Sequence, residues 1–153
     1  MPLPYENATS GASAINDVQK LVEKFGCSDF GVMQNFQRGE TVVRFAYKGV
    51  VVEAKASANG YARAWLRENS YSKGRRCSEE EHRQRALKQG QLAVCSILRD
   101  WIKAQLMAIE TDVLSFESAF MGQILLPNGK TASDLILPYL PDGYLLPKPE
   151  VEE

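Results

Sequence analysis

Apolar residues first recur at helical spacing, with Ile15, Val18, Leu21, Val22 and Phe25 on one face. Ser13 can cap the start of that run, and Gly26 stands where a left-handed stop belongs, so the spacing predicts a helix over 14–25. The period then changes to two. Three short extended segments follow, Phe30 to Phe36, Thr41 to Tyr47 and Val50 to Ala56, separated by the turns Gln37-Arg38-Gly39 and Lys48-Gly49. Val43, Phe45 and Tyr47 alternate with Val42, Arg44 and Lys48, the pattern of a strand with one buried face. Connections this short make the three strands an antiparallel meander.

Helical spacing resumes over 58–68, carrying Tyr61, Trp65 and Leu66, and a basic loop runs from Ser70 to Cys77. Ser78 with Glu81 three residues on is a capping box, and Glu79, Glu80 and Glu81 put negative charge on the positive end of a helix dipole. The longest helix starts there. Leu87, Val94, Ile97, Leu98, Trp101, Ile102 and Ile109 mark its apolar face, with Arg85, Lys88, Arg99 and Lys103 towards the other. Continuous to Glu110, it would be about 48 Å long at 1.5 Å per residue, and Gly90 is the expected place for a bend. Ser115 caps a short helix with Phe116, Phe120, Met121 and Ile124, ended by Pro127; Asn128-Gly129 is a turn. Thr131 and Asp134 cap a last helix over 132–140. Pro138, Pro141, Pro147 and Pro149 then impose an extended acidic tail.

These elements make an α+β fold: an N-terminal helix on one face of a three-stranded antiparallel meander, then a helical C-terminal half with one long amphipathic helix. Residues 1–13, small and polar with Pro2, Pro4 and Gly11, read as a flexible arm; 14–140 form a single domain and 141–153 the tail. At 153 residues, with 44% hydrophobic and 24% charged side chains, the chain can bury a core without a metal or disulfide. No apolar run reaches membrane-span length, and the N-terminus lacks the positive start and apolar core of a secretory signal, so a cytoplasmic protein with no membrane partner is expected. Cys27, Cys77 and Cys95, odd in number and widely spaced, read as free thiols.

Charge changes the picture, because the net of −1 conceals a sorting along the chain. Residues 1–62 balance. Residues 63–103 hold Arg63, Arg67, Lys73, Arg75, Arg76, Arg83, Arg85, Lys88, Arg99 and Lys103 against Glu68, Glu79, Glu80, Glu81 and Asp100, a surplus of five positive charges. Residues 104–153 hold eight carboxylates against Lys130 and Lys148, a surplus of six negative ones. The basic segment can meet a polyanion or answer the chain's own acidic end, which is the role expected for Arg99 and Lys103. Arg63, Arg67, Lys73, Arg75, Arg76, Arg83 and Arg85 are the candidate phosphate contacts, and Trp65 and Tyr71 the candidate stacking residues, since cations interleaved with aromatics suit nucleic acid. A solvated helix face and a packed Trp65 are the plain alternatives.

Catalytic chemistry has little to stand on. The one histidine, His82, lies beside Glu79, Glu80, Glu81 and Arg83 and reads as solvated surface. A metal would have to gather Cys27, Cys77, Cys95 and His82 without the short paired spacings of zinc sites. Gly129-Lys130-Thr131 looks like the end of a phosphate loop, but the required earlier glycine is Ile124. The chain is therefore expected to be no enzyme and to carry no cofactor or metal.

From Arg85 to Thr131 the chain resembles a family of short uncharacterised proteins of bacteriophages and prophages. The resemblance rests on Leu98, Trp101-Ile102-Lys103-Ala104, Leu106, Ala108-Ile109-Glu110, Ser115-Phe116-Glu117, Ala119-Phe120 and Leu126-Pro127-Asn128-Gly129-Lys130-Thr131, with Leu145-Leu146-Pro147 beyond. It implies a mobile-element setting and no particular activity. The order helix, meander, helix is also similar to double-stranded-RNA-binding domains, though no lysine-rich helix start follows Ala56. The expected function is a nucleic-acid-binding accessory protein of a phage or prophage. The alternative is a protein-interaction module that inhibits a host defence or replication protein through the acidic third or the Tyr144-Leu145-Leu146 tail. A homo-oligomer through the long helix's apolar face is a third partner class.

Overall fold

The computed structural model describes residues 2–74 and 76–140; Arg75 and the expected tail, 141–153, lie outside the described residues. The elements run α1 (Gly11–Phe25), β1 (Asp29–Asn35), β2 (Glu40–Tyr47), β3 (Val50–Ser57), α2 (Ala58–Glu68), α3 (Glu79–Glu110), α4 (Phe116–Phe120) and α5 (Ala132–Ile136), with 3-10 turns at Met121–Gln123 and Leu137–Tyr139. This is the α+β architecture expected from the periodicities.

The sheet is a meander in the order β1-β2-β3, antiparallel throughout. Its register places Phe30, Phe45 and Val52 in one row and Val32, Val43 and Ala54 in the next, both on the inner face. Leu98, Ile102 and Leu106 of α3, Val18 and Val22 of α1, and Phe116 and Phe120 of α4 complete that core. The aromatic rings interlock. Phe120 meets Phe45 edge-on at 5.3 Å and Trp101 at 5.6 Å, while Phe116 stacks on Phe25. α1 packs along α3, and α3 itself reaches β2 and β3, so the two helices share the covered face.

On the outer face Arg44 and Lys55 close over Glu53, which is buried although its strand position points to solvent. β3 does not end the sheet bare. The Leu125 N–H donates to the Val51 carbonyl at 2.7 Å, and Ile124 bridges Val52.

Several local expectations change. The helix expected to carry Ile124 ends at Phe120, and Ile124 is extended so that it can bridge Val52 at the sheet edge; the last helix, expected over 132–140, runs Ala132–Ile136 before tightening into the 3-10 turn Leu137–Tyr139 at Pro138. α1 begins three residues before the expected start: Ser10 is the cap, and its hydroxyl accepts from the Ser13 N–H, so Ser13 serves the cap from inside the first turn. Residues 2–10, expected as an arm, are tied to the helices. Tyr61 donates its hydroxyl to the Pro4 carbonyl at 2.6 Å, Tyr5 donates to Asp100 at 2.8 Å, and Gln89 donates to the carbonyls of Tyr5 and Ala8. These contacts fix Tyr5 at a φ of 66°.

Gly90 has a packing role. Residues 79–110 are one continuous helix, and a Cβ on Gly90 would lie 2.6 Å from the carbonyl oxygen of Ala58, the first residue of α2. Alanine is worth about 1 kcal/mol more than glycine inside a helix. Here the Ala58 backbone must move to admit it, and overpacking of this kind costs about 1–3 kcal/mol. Gly90→Ala is therefore expected to destabilise the protein by up to about 2 kcal/mol in chemical denaturation, against its helix propensity.

Asp100 supplies a pH test. The Arg99 guanidinium, and then the Tyr5 hydroxyl, hydrogen-bond its carboxylate and hold it below the ordinary carboxylate value despite partial burial. A depressed folded-state value means the contribution is complete above the ordinary value of 3.8 and is lost as pH falls below it. Asp100→Asn is expected to flatten the fall in thermal stability below pH 4, measured by circular dichroism against the parent.

Candidate nucleic-acid interface

The basic segment folds into a helical hairpin in which α2 packs against α3 and residues 69–78 join them. Ser78 caps α3 through the expected capping box: its hydroxyl accepts from the Glu81 N–H at 3.2 Å, and its own N–H donates to the Glu81 carboxylate at 3.0 Å. α2 ends at Asn69, whose N–H donates to the Trp65 carbonyl.

His82 joins the two ends. It is fully buried, not solvated as its charged neighbours in sequence suggest. One turn into α3, its Nε2 lies 2.6 Å from the Asn69 carbonyl oxygen. A carbonyl only accepts, so Nε2 donates in this contact. Nδ1 is buried with no partner, the one such side-chain atom among the described residues. Trp65 and Tyr71 pack on the imidazole at centroid distances of 5.1 and 5.8 Å, and the Tyr71 hydroxyl donates to the Cys77 carbonyl. The two candidate stacking residues thus form the packing beneath the loop, both half-buried.

Around this support, Arg63 and Arg67 of α2, Lys73 and Arg76 of the loop, and Arg83, Arg85 and Lys88 of α3 are all exposed. Arg63 and Arg67 are four residues apart and share a stripe of α2. Arg83 is engaged by Glu79 at 3.4 Å and Glu80 at 3.8 Å. Among the described residues no ion pair holds Arg63, Arg67, Lys73, Arg76, Arg85 or Lys88.

Among the described residues the acidic C-terminal third makes no ion pair with them. Glu110, Asp112, Glu117 and Asp134 are exposed. Arg99, expected to answer that third, instead bonds Asp100 at 2.9 Å and faces Asp17 of α1 at 3.9 Å. Lys103 is exposed and among the described residues forms no pair with the acidic third. Among the described residues no group of three His, Cys, Asp or Glu side chains could hold a metal ion, and no helix is long and apolar enough to cross a membrane. The three cysteines are free, and burial pushes the Cys27 thiol up to about 11.

No protein-family model, curated protein or solved structure matches the chain.

Replacing His82 by phenylalanine keeps the aromatic volume but removes the donor for the Asn69 carbonyl. An orphaned buried acceptor costs about 1–3 kcal/mol, and His82→Phe is expected to lose that much in urea denaturation followed by Trp65 and Trp101 fluorescence.

Proposed function

We propose that this protein is a non-enzymatic nucleic-acid-binding accessory protein, in the phage or prophage setting that its resemblance implies, and that it grips phosphate backbone through the α2–α3 hairpin. The observation that carries the reading is the set of six exposed cations, Arg63, Arg67, Lys73, Arg76, Arg85 and Lys88, gathered on one hairpin with no ion pair among the described residues, while Arg44, Lys55, Arg83 and Arg99 are paired. Phosphate contacts position a protein without reading sequence, so binding follows charge and salt more than base identity. Trp65 and Tyr71 contribute by holding the loop on His82. Arg83, held by two glutamates, contributes least of the seven candidates.

Fluorescence anisotropy with mixed-sequence DNA and RNA duplexes tests this. Each phosphate neutralised adds about 0.9 to the slope of log affinity against log salt on B-DNA. The double variant Arg63→Ala/Arg67→Ala is expected to lower that slope by about 2 and affinity about tenfold at low salt. Lys20→Ala/Lys24→Ala on α1 should leave both unchanged. Absence of measurable binding at about 50 mM salt overturns the reading.

A second reading, docking to a basic protein partner, rests on a different patch. At the far end of α3, exposed Glu110, Asp112 and Glu117 surround Val113, 71% exposed, and Leu114, 40% exposed. Capture of one stoichiometric host protein, lost in Val113→Asp, favours that reading.

A further inference from the structure

The two edges of the sheet are built differently. β3 is covered by Ile124 and Leu125, whereas the outer edge of β1 has no strand against it among the described residues. Edge strands normally carry a lysine, a proline or a bulge that blocks pairing with another chain. β1, Asp29-Phe30-Gly31-Val32-Met33-Gln34-Asn35, has no lysine, arginine or proline, and its pairing with β2 runs unbroken from Asp29 to Asn35. It also displays apolar surface: Val32 is 38% exposed, Met33 72% and the adjoining Phe36 83%.

Gly31 is a strand residue that nothing among the described residues of one copy explains. Its φ is not positive, and a Cβ built on it would meet nothing within 4 Å. Glycine inside a strand sacrifices stability and marks a place where another chain or ligand comes close. The gap it leaves opens onto a shallow groove of about 440 Å³ on the outer face, walled by Met33, Val42 and the side chains of Arg44 and Lys55.

We propose that β1 pairs with β1 of a second copy of this chain, antiparallel about a two-fold axis through Val32, joining two three-stranded sheets into one of six strands. The strand is self-complementary in that register. Val32 opposes the partner's Val32, Gly31 opposes the partner's Met33, and Asp29 opposes the partner's Asn35. The flexible Met33 side chain fills the gap over Gly31 twice, once from each copy. The only charges in the strand, the two Asp29 carboxylates, lie at opposite ends of the pairing. Moving the axis to Gly31 would set Met33 against Asp29, and moving it to Met33 would set the polar Asn35 against each Gly31 in place of Met33.

Directly opposed residues in an antiparallel pair have Cα atoms about 4.5–5.5 Å apart, within disulfide range, and diagonal neighbours do not. With Cys27 and Cys77 replaced by serine, Val32→Cys should form an intermolecular disulfide under mild oxidation at least about tenfold faster than Met33→Cys. Sedimentation velocity of the unmodified chain, from about 1 to about 200 µM, should show a concentration-dependent species of twice the 17.1 kDa monomer mass. Val32→Lys, which sets two ammonium groups face to face, should return it to monomer with unchanged circular dichroism. Monomer at every concentration overturns the proposal. So does a dimer in which Val32→Cys cross-links no faster than Met33→Cys, since the copies then meet elsewhere, as through the face of α3.

Discussion

The sheet and the basic hairpin are joined at Ala58, and the rest of the fold depends on how tightly that joint closes. Ala58 is fully buried where β3 runs directly into α2. Its N–H donates to the Gly39 carbonyl in the β1–β2 turn at 2.7 Å, and its own carbonyl lies against Gly90 of α3. One residue thereby links the meander, α2 and the middle of the longest helix. Any side chain at position 90 would pry α3 from that junction, and α3 is the element against which α1, α2, α4, β2 and β3 all pack.

The length of α3 follows from that duty. Its C-terminal half supplies Leu98, Ile102 and Leu106 to the core under the sheet, while Ala93 and Val94 meet Tyr61 in a smaller cluster that Leu3, Tyr5 and Trp65 cover. A helix serving two cores in succession is longer than either would require. The smaller cluster also explains the order of the N-terminal residues: Tyr5 and Pro4 are held because Tyr61 and Asp100 present a donor and an acceptor at its rim. Burial is therefore continuous along α3 from His82 to Leu106, although its apolar residues are not.

That discontinuity marks the limit of what could be read from the chain. The meander, both capping boxes and the start of α2 were legible because each rests on residues adjacent in sequence: turn glycines, Ser78 with Glu81, Thr131 with Asp134. His82 was misread because its neighbours Glu81 and Arg83 face solvent, and a helix turns each successive residue about a quarter of the way round. A signal was present in the spacing of His82, Ala86, Gly90 and Ala93, a stripe of one polar and three small residues that falls on the buried face. Counting large apolar residues alone passes over such a stripe, since small residues announce close backbone approach instead of hydrophobic area. The adjacent Asp100 is a local reason for Arg99 to be paired where Arg85 is not, but its second partner, Asp17 of α1, is brought to it only by tertiary structure.

The charge sorting acquires a spatial meaning from the same geometry. Where elements pack side by side a cation can meet an acid from a neighbour, as Arg44 meets Glu53 of the next strand and Arg99 meets Asp17 of α1. The helical cations of the hairpin other than Arg83 stand on helices whose buried faces are taken up by Tyr61, Ala62, His82 and Ala86, and among the described residues no carboxylate pairs with them. Exposed ion pairs add little stability in any case, so leaving them unmade costs the fold almost nothing. A two-fold at β1 would set two such hairpins in one particle. Phosphate contacts made by the second hairpin would then be intramolecular, and binding would strengthen through effective concentration without any new residue. The small stability given up at Gly31 and at the unpaired cations thus falls on the two surfaces where this chain has most to offer a second molecule.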